Sequence, residues 1–396
     1  MDYIKDRSIL ELTESIKSDL ISLRRDFHMH PELGMEEHRT SKIIGDILEN
    51  LGIKVQRNVA NTGVVGLLEG EMKGKTIALR ADIDALPIED AKGVEYASTI
   101  SGKMHACGHD AHTAILLGTA MILSKMRDKL LGNVLFIFQP AEETVGGAAP
   151  MIKEGVLKNP KVDAIFGLHM ASDIETGKIG VKHGISNASS NEFEIEIDGK
   201  STHGATPHLG IDAIIISARV INGLQTVITR QIDPTENALL TVGTINGGTQ
   251  SNIISDKVYM TGTIRTFSLG LSDIISSKIK KLLEGITESM GGNFILKINR
   301  GYPPLYNHSE MVELVESAAK EIIGCENIIN IQKPRLGAED FAYYVQEVPG
   351  AFWRLGCKDP KSNIELSDHS SDFDIDEDAL SIGVAMHIRT VLKFLG

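Results

Sequence analysis

Two runs of apolar residues constrain the fold of this chain more than any other feature. Residues 134–138 read Val-Leu-Phe-Ile-Phe, and residues 164–168 read Ala-Ile-Phe-Gly-Leu. Strands without alternating polar and apolar side chains are typical of a mainly parallel sheet that is buried on both faces. The sequence therefore predicts an α/β fold, with a large domain built on a central mixed, mainly parallel sheet flanked by helices.

Side chains that can bind ligands follow directly after these runs. Glu142 and Glu143 come shortly after the first run, and His169 follows the second. Asp82 follows another predicted strand at residues 76–81. The carboxyl ends of strands in open α/β sheets form the edge where ligands bind, so we expect these four side chains at one edge of the sheet.

A glycine-rich segment precedes the strand at residues 76–81. It reads Gly-Glu-Met-Lys-Gly-Lys-Thr at residues 70–76. This is one residue shorter than a phosphate-binding loop, and it leads into a strand rather than a helix. We interpret it as a hairpin turn between this strand and the one at residues 64–68.

Residues 104–112 contain one thiol, three imidazoles and a carboxylate, in the order Met-His-Ala-Cys-Gly-His-Asp-Ala-His. Cys107 and His109 are two residues apart, so in an extended segment their side chains point to the same side. Thiolate and imidazole are preferred ligands of borderline-soft divalent metals. Cys107 alone fits a buried core cysteine equally well, but the whole cluster indicates a metal site.

The adjacent pair Glu142 and Glu143 has two interpretations. One carboxylate can bind a metal while the other takes a proton from water, acting as a general base. An acidic pair is also stabilised at a helix N-terminus by the helix dipole. The other candidates Cys107, His109 and His169 favour the metal site. His369 is a further candidate late in the chain, but the acidic run at residues 374–378 is more typical of a solvated helix start, so the local pattern does not include His369 in the site. The local pattern does not decide which glutamate has which role.

The hydrophobic pattern changes at about residue 187. Phe193, Ile195 and Ile197 alternate with acidic residues, as in a half-exposed strand. The predicted order of elements from there is β-α-β-β-α-β, which is typical of a ferredoxin-like layer. We therefore predict an inserted lid and dimerisation domain at residues 187–301, with residues 1–186 and 302–396 forming the catalytic metal-binding domain. The exposed edge of such a layer favours a homodimer.

Composition narrows the functional classes. The 396 residues carry a net charge of −13, which argues against nucleic acid or an anionic membrane as a partner. The sequence has no apolar run of about 18 residues and no signal peptide, so we expect no transmembrane segment. Three widely spaced cysteines, Cys107, Cys325 and Cys357, argue against a disulfide framework and for a reducing compartment, the cytoplasm.

Three motifs carry a resemblance to a known family. Residues 104–110 (Met-His-Ala-Cys-Gly-His-Asp), 138–143 (Phe-Gln-Pro-Ala-Glu-Glu) and 337–341 (Gly-Ala-Glu-Asp-Phe) resemble the metal-dependent amidohydrolases that include aminoacylases and carboxypeptidases. The most similar branch contains hippurate hydrolases, indole-acetyl amino acid hydrolases and N-acetyl-diaminopimelate deacetylases. The resemblance spans the chain, from residue 25 to about residue 374.

The resemblance implies a site for two divalent metal ions. Cys107 would bridge the two ions, His109 and His169 would complete the first set of ligands, and Glu143 and His369 the second. The resemblance also assigns Glu142 as the general base. Many relatives have His-x-Asp where this chain has Arg80-Ala81-Asp82, so Asp82 would instead orient a ligand.

The resemblance also implies roles in the inserted domain. His203 would stabilise the tetrahedral oxyanion, either within its own subunit or across a dimer interface, and Asn252 or Arg265 would hold the substrate carboxylate. A surface ion pair is the other interpretation of Arg265. Asn252 is followed by Ile-Ile-Ser, where the family usually has Val-Ile-Pro.

These expectations together predict a metal-dependent hydrolase of the amide bond of N-acyl-L-amino acids. Zinc or manganese are the expected metals, and the mixed ligands also admit cobalt or nickel. A dipeptidase or carboxypeptidase of the same fold is the first alternative. Two others are a thiol hydrolase that uses Cys107 with His109 as base, and a metal-dependent binding protein without turnover.

Overall fold

The computed structural model describes residues 6–361 and 367–396. Its helices are α1 (Asp6–Ser15), α2 (Lys17–Met29), α3 (His38–Asn50), α4 (His109–Ser124), α5 (Ala148–Lys153), α6 (Ala213–Gln231), α7 (Leu269–Ser289), α8 (Ser309–Ile322), α9 (Phe341–Glu347) and α10 (Asp378–Leu395). The strands are β1 (Lys54–Val59), β2 (Gly63–Glu69), β3 (Met72–Asp82), β4 (Leu131–Gln139), β5 (Ala164–Glu175), β6 (Ile179–Val181), β7 (Gly184–Asn187), β8 (Asn191–Asp198), β9 (Thr202–His203), β10 (Ala238–Gly247), β11 (Ile253–Ile254), β12 (Lys257–Thr266), β13 (Asn293–Arg300), β14 (Leu305–Asn307), β15 (Ile328–Asn330) and β16 (Gly350–Lys358).

The chain forms two compact units. The first comprises residues up to 184, residues 306–333 and residues 340–396. The second comprises residues 185–305 together with the short segment 334–339. The predicted insertion at 187–301 did not include that segment.

An eight-stranded sheet forms the centre of the first unit, in the order β1-β2-β4-β3-β5-β16-β6-β15. The four central strands β4, β3, β5 and β16 are parallel, whereas β1, β2 and β6 pair antiparallel with neighbours. Both predicted apolar runs lie in buried strands of this parallel part, β4 and β5. The predicted mixed α/β architecture is confirmed.

Two local predictions about this sheet are wrong. Strand β4 lies between β2 and β3, so residues 70–71 connect two strands that do not pair, and the predicted hairpin does not form. Strand β5 was expected to end at His169 but continues to Glu175, with Lys358 of β16 paired opposite Glu175.

Helix α4 positions the site because it is buried on nearly all sides. Its residues from His109 to Ala120 are all buried, and it lies beside α2 and α10. The helix contacts α10 closely at Gly383, where an added Cβ would lie 2.8 Å from Ile115 Cδ1. A helix enclosed in this way holds its first residue, His109, in a fixed position.

The second unit is a ferredoxin-like layer, as predicted. Its elements follow the order β8-α6-β10-β12-α7-β13, and its antiparallel sheet has the order β10-β12-β8-β13. The alternating residues Phe193, Ile195 and Ile197 pack in one apolar core with residues of α6 and α7. The side chain of Asp212 caps α6 by accepting the backbone N–H groups of Ile214 and Ile215.

None of the helices in the described parts of the chain combines the length and the apolar composition that a membrane span requires.

Candidate active site

The predicted metal-binding residues of the first unit converge at the carboxyl ends of the parallel strands. His109 is the first residue of α4, and Gly108 before it has a left-handed backbone with φ 84°. A Cβ at Gly108 would lie 2.9 Å from Met170 Cγ, so the turn also requires a small residue. Glu143 follows β4, and His169 lies within β5. The turn at Gly108 thereby brings Cys107 and His109 against β5.

Two groups of three side chains share the thiol of Cys107. In the first group Cys107 joins His109 and His169, and in the second it joins Glu143 and His369. Within each group the potential ligand atoms all lie within 4.8 Å of one another. Cys107 Sγ lies 3.3 Å from His169 Nε2, and His369 Nε2 lies 3.1 Å from Glu143 Oε1. Because Cys107 belongs to both groups, its sulfur could bind two cations at once, one in each group.

The orientation of the histidines fits a bound cation. His109 Nδ1 lies 2.9 Å from the backbone oxygen of Asp84 and 3.2 Å from its Oδ1, so Nδ1 carries the hydrogen. His109 Nε2 is buried and has no hydrogen-bond partner among the residues that the structure describes. His169 Nδ1 lies 2.6 Å from the backbone oxygen of Met170, which leaves Nε2 directed at Cys107. Metal-binding histidines are usually held in this way through the second ring nitrogen.

The carboxylates around these groups favour positive charge. Burial opposes protonation of His109, but Asp82, Asp84 and Glu143 outweigh it and raise its pKa to about 10. Burial raises the pKa of Glu143, but a hydrogen bond to His369 and the charge of His109 lower it below its usual range. The buried carboxylates therefore favour positive charge at this position, which a divalent cation can supply when His109 binds it without its proton.

Glu142 lies beside the two groups without belonging to either. It is buried, and a carboxylate oxygen of Glu142 lies within 4.8 Å of ligand atoms of both His109 and Glu143. The two adjacent glutamates therefore differ in grouping: Glu143 forms a group with Cys107 and His369, and Glu142 forms one with His109 and Glu143. This grouping is compatible with Glu143 as a metal ligand, and the role of Glu142 as general base stays a prediction.

The predicted substrate contacts lie in the second unit. His203 on β9 pairs with Ile253 on β11, and the backbone N–H of Gly204 donates to the oxygen of Asn252 at 2.7 Å. His203 and Asn252 are therefore neighbours, and both side chains are exposed. Arg265 lies on β12 between the buried residues Ile264 and Thr266, so its side chain projects from the other face of the strand.

Ser255 stands where the family usually has proline, and it stabilises the same turn by hydrogen bonds. Its buried hydroxyl lies 3.2 Å from the backbone N–H of Gly248 and donates to the oxygen of Lys257 at 2.9 Å. Its backbone oxygen accepts the N–H of Ala213, the first residue of α6. The loop that follows Asn252 is therefore fixed without the proline.

Sequence reasoning missed Asp84, the carboxylate that orients His109. Asp82 was expected to have this role, but its Oδ2 lies 3.7 Å from His109 Nε2, and its Oδ1 pairs with His112 Nδ1 at 2.5 Å. His112 Nε2 accepts the backbone N–H of Met170, so both nitrogens of His112 are used within the protein. The sequence Asp82-Ile83-Asp84 contained a signal, because the two carboxylates lie two residues apart next to a strand end.

Comparison with known proteins gives full-length similarities. The chain is 38% identical over 400 residues to thermostable carboxypeptidase 2 of Saccharolobus solfataricus, covering 97% of this chain and 99% of the relative. It is 40% identical over 381 residues to N-acetyl-L-cysteine deacetylase of Bacillus subtilis, covering 95% of this chain and 88% of the relative. A solved Bacillus subtilis structure, YXEP, described as a dinuclear metal binding peptidase from the M20 family, has a TM-score of 0.83 at 35% identity, covering 96% of this chain and 99% of that one.

The family comparison agrees with these relatives. Residues 78–393 match peptidase family M20/M25/M40, and this range includes all of the predicted site residues. The predicted resemblance and the predicted hydrolase class are confirmed at the level of the family. The chain therefore belongs to peptidase family M20/M25/M40.

Proposed function

We propose that this protein hydrolyses the amide bond of N-acyl amino acids, using two divalent cations and a general base. The observation that carries the proposal is the pair of three-residue groups that share the thiol of Cys107. The buried Nε2 of His109, which makes no hydrogen bond to the described part of the chain, supports it, since a buried ring nitrogen without a hydrogen bond is costly unless it has a ligand.

Five side chains would hold the cations. Cys107, His109 and His169 would form one set, and Cys107, Glu143 and His369 the other. Bound cations supply a polarised substrate carbonyl and a water of lowered pKa. The mixed sulfur, nitrogen and oxygen donors suit zinc or manganese and also admit cobalt or nickel.

Glu142 would act as the general base. It is buried beside His109 and Glu143, and it belongs to neither group that contains Cys107. A carboxylate in this position can take a proton from water and pass it to the amine that leaves when the amide bond breaks. The products would be a carboxylic acid and a free amino acid.

His203 would stabilise the oxyanion that forms on the substrate carbonyl. Its Nδ1 accepts the backbone N–H of Ala205 at 3.0 Å, so the neutral ring carries its hydrogen on Nε2 and can donate it. The neighbouring Asn252, or Arg265, would hold the substrate carboxylate.

The names of the relatives support two classes of substrate. One relative is an N-acetyl-L-cysteine deacetylase and another is a carboxypeptidase. Both reactions cleave an amide next to an amino acid, so a dipeptidase or carboxypeptidase activity is the alternative within this proposal. A panel of N-acetyl and N-benzoyl amino acids and dipeptides separates them.

The test begins with metal-stripped protein, assayed on this panel before and after each of Zn²⁺, Mn²⁺, Co²⁺ and Ni²⁺ is added back. We expect activity only with metal, at about two ions per chain by elemental analysis. The variant Glu142→Gln should bind the same two ions and lose at least about 10²- to 10⁴-fold in kcat. Retained turnover in this variant would remove Glu142 from the mechanism.

The same experiment tests the two other predicted classes of protein, a thiol hydrolase and a metal-dependent binding protein without turnover. Activity in the presence of a chelator would favour a thiol hydrolase, although burial and the nearby Glu143 raise the pKa of Cys107 well above its usual range and oppose a free thiolate. Metal binding without hydrolysis of any substrate would favour a binding protein.

We also propose a homodimer that forms through the second unit. Strand β10 is an edge of the four-stranded sheet and carries Ile245, which is 51% exposed. Ile214 on α6 lies beside the end of this strand, since a Cβ at Gly248 would lie 3.3 Å from Ile214 Cδ1, and it is 45% exposed. An unpaired apolar edge with apolar neighbours favours association.

Light scattering after size exclusion tests the dimer. The double variant Ile214→Glu, Ile245→Lys should be monomeric, whereas Ile295→Lys, on the opposite edge strand β13, should remain dimeric. A wild-type monomer at micromolar concentration would contradict the proposal.

The free thiols of Cys107, Cys325 and Cys357 support a reducing location, the cytoplasm.

A further inference from the structure

Glu32 and Glu37 lie near the start of helix α3 but have different partners. The two carboxylate oxygens of Glu32 accept the backbone N–H groups of Arg39 and Thr40 at 2.9 and 2.8 Å. These are N–H groups of the first helical turn, which have no partner within the helix. Glu32 therefore caps α3, although it precedes the helix by six residues.

Glu37 occupies the N-cap position of α3, yet its side chain makes no capping hydrogen bond. Its carboxylate turns away from the helix and is completely buried. One oxygen accepts the backbone N–H of Ala141 at 2.9 Å, and the other accepts the hydroxyl of Thr62 at 2.6 Å. Burial raises the pKa of Glu37, while its hydrogen bond to Thr62 opposes this effect. A buried carboxylate that is not needed as a cap requires another explanation.

The partner of Glu37 is the residue directly before the proposed general base. Ala141 has a left-handed backbone with φ 55°, which is unfavourable for a residue with a Cβ. Its N–H is held by Glu37, and its backbone oxygen accepts the N–H of Gly146 at 2.9 Å. On the other side of Glu142, the backbone N–H of Glu143 donates to Asp84 Oδ2 at 2.9 Å. Glu142 thus lies between two backbone N–H groups, each held by a buried carboxylate.

We propose that Glu37 is a positioning residue for Glu142, because its hydrogen bond to the N–H of Ala141 keeps the left-handed turn that directs the Glu142 carboxylate. This role rests on the proposed function of Glu142 as general base. Without the acceptor, the turn can relax toward a backbone conformation that suits alanine better. Glu142 would then move relative to the cations and the water, and misplacement of a catalytic group by about 1 Å can lower the rate about 10²-fold.

The variant Glu37→Met tests the proposal, because methionine fills a similar volume and accepts no N–H from Ala141. We expect kcat to fall about 10- to 100-fold, KM to change less than about threefold, and both metal ions to remain bound. In Glu37→Gln the amide oxygen can still accept the N–H of Ala141. This conservative variant should therefore recover most of the wild-type kcat.

Glu32 provides the matched control, since it is an acidic residue of the same segment that bonds the helix instead of Ala141. Glu32→Met should lower the melting temperature and leave kcat per folded, metal-loaded chain unchanged. A wild-type kcat in Glu37→Met would overturn the proposal. So would an equal loss in Glu37→Gln, or a loss of bound metal that accounts for the loss of activity.

Two further variants keep the test decisive. If Glu37→Met does not fold, Thr62→Val removes the hydroxyl that holds the other carboxylate oxygen, and kcat should fall about three- to tenfold. An unchanged kcat there would overturn the proposal. Glu142→Gln is assayed in parallel. An inactive Glu142→Gln beside a fully active Glu37→Met would refute only the positioning role, whereas an active Glu142→Gln would refute the proposed function itself.

Discussion

Asp84 Oδ1 lies 3.2 Å from His109 Nδ1, and the backbone oxygen of Asp84 lies 2.9 Å from the same nitrogen. The second carboxylate oxygen of Asp84 accepts the backbone N–H of Glu143 at 2.9 Å. One buried side chain thus orients two of the five proposed ligands, one from each group that shares Cys107. Residues that hydrogen-bond to metal ligands, without binding the metal themselves, fix the ring orientation and the basicity of those ligands.

The variant Asp84→Asn should weaken metal binding about 10- to 100-fold. The carboxylate has two accepting oxygens for two N–H donors, and asparagine places an NH₂ group against one of them. Titration of metal-stripped protein with Zn²⁺ or Mn²⁺ against a competing chelator measures the effect. Glu71→Gln, at an exposed position, is the control. An unchanged affinity in Asp84→Asn would show that Asp84 does not support the ligands.

The variant Gly34→Ala should disturb the turn that carries Glu142. A Cβ at Gly34 would lie 2.4 Å from Thr144 Oγ1 and 3.0 Å from Ala141 Cα, so the two segments would have to separate. We expect the free energy of unfolding to fall by about 1–3 kcal/mol, as for other overpacked sites, together with a lower kcat. In Gly93→Ala the new Cβ meets no atom within 4 Å. Urea unfolding should show a change within about 0.5 kcal/mol for that control, and equal effects of the two substitutions would contradict the prediction.

The variant Arg80→Met should destabilise the first unit strongly. The buried guanidinium donates to Asp82 at 2.6 Å and to Asp340 at 2.7 Å, and both carboxylates are fully buried. The substitution leaves two buried carboxylates without the guanidinium that pairs with them. We therefore expect the free energy of unfolding, measured with urea, to fall by about 3–5 kcal/mol. Arg57, paired with Asp46 in a more exposed position, is the control, and Arg57→Met should cost about 0–1 kcal/mol. A similar loss in both variants would contradict this account.

Local patterns were sufficient for the elements of the fold but not for all of their pairings. The uninterrupted apolar runs identified β4 and β5, and the alternation at Phe193, Ile195 and Ile197 identified β8. The segment at residues 70–76 looked like a hairpin turn because a tight turn and a short crossover use the same residues. The insertion of β4 between β2 and β3 depends on pairing with residues some 60 positions later in the chain. Such long-range pairing leaves no mark on the local sequence.

In the candidate site, too, the local sequence was sufficient for some residues and not for others. The cluster of ligand-type side chains at residues 104–112 singled out Cys107 and His109, and its position after a buried apolar run singled out His169, because few side chains can bind soft divalent metals. The choice between Glu142 and Glu143 needed the family resemblance, and it stays a prediction. Asp84 and Glu37 were not found, because glutamate and aspartate are common and their roles depend on which backbone N–H the fold brings to them.

Asp90 should make the stability of the protein depend on pH in the acid range. Its side chain is buried, and one oxygen accepts the backbone N–H of Ser98 at 2.8 Å. Burial raises its pKa, but hydrogen bonding to His28 and to the backbone of Ser98 and Lys92 outweighs this effect and lowers the pKa to about 2. The unfolded chain, with the ordinary value of 3.8, binds the proton more tightly. Ionised Asp90 therefore stabilises the fold above about pH 4, and this contribution is lost as the pH falls through about 2.

The size of this effect follows from the difference between the two pKa values. It corresponds to about 2 kcal/mol at pH 7 and about 1 kcal/mol at pH 3. The variant Asp90→Asn should therefore be less stable than the wild type by about 2 kcal/mol at pH 7, and the gap should narrow to about half at pH 3. Urea unfolding at both pH values measures it, with Asp128→Asn, at an exposed position, expected to stay within about 0.5 kcal/mol of the wild type at each. A gap that stays constant with pH would mean that Asp90 stabilises the fold through its shape and neutral hydrogen bonds rather than through its charge.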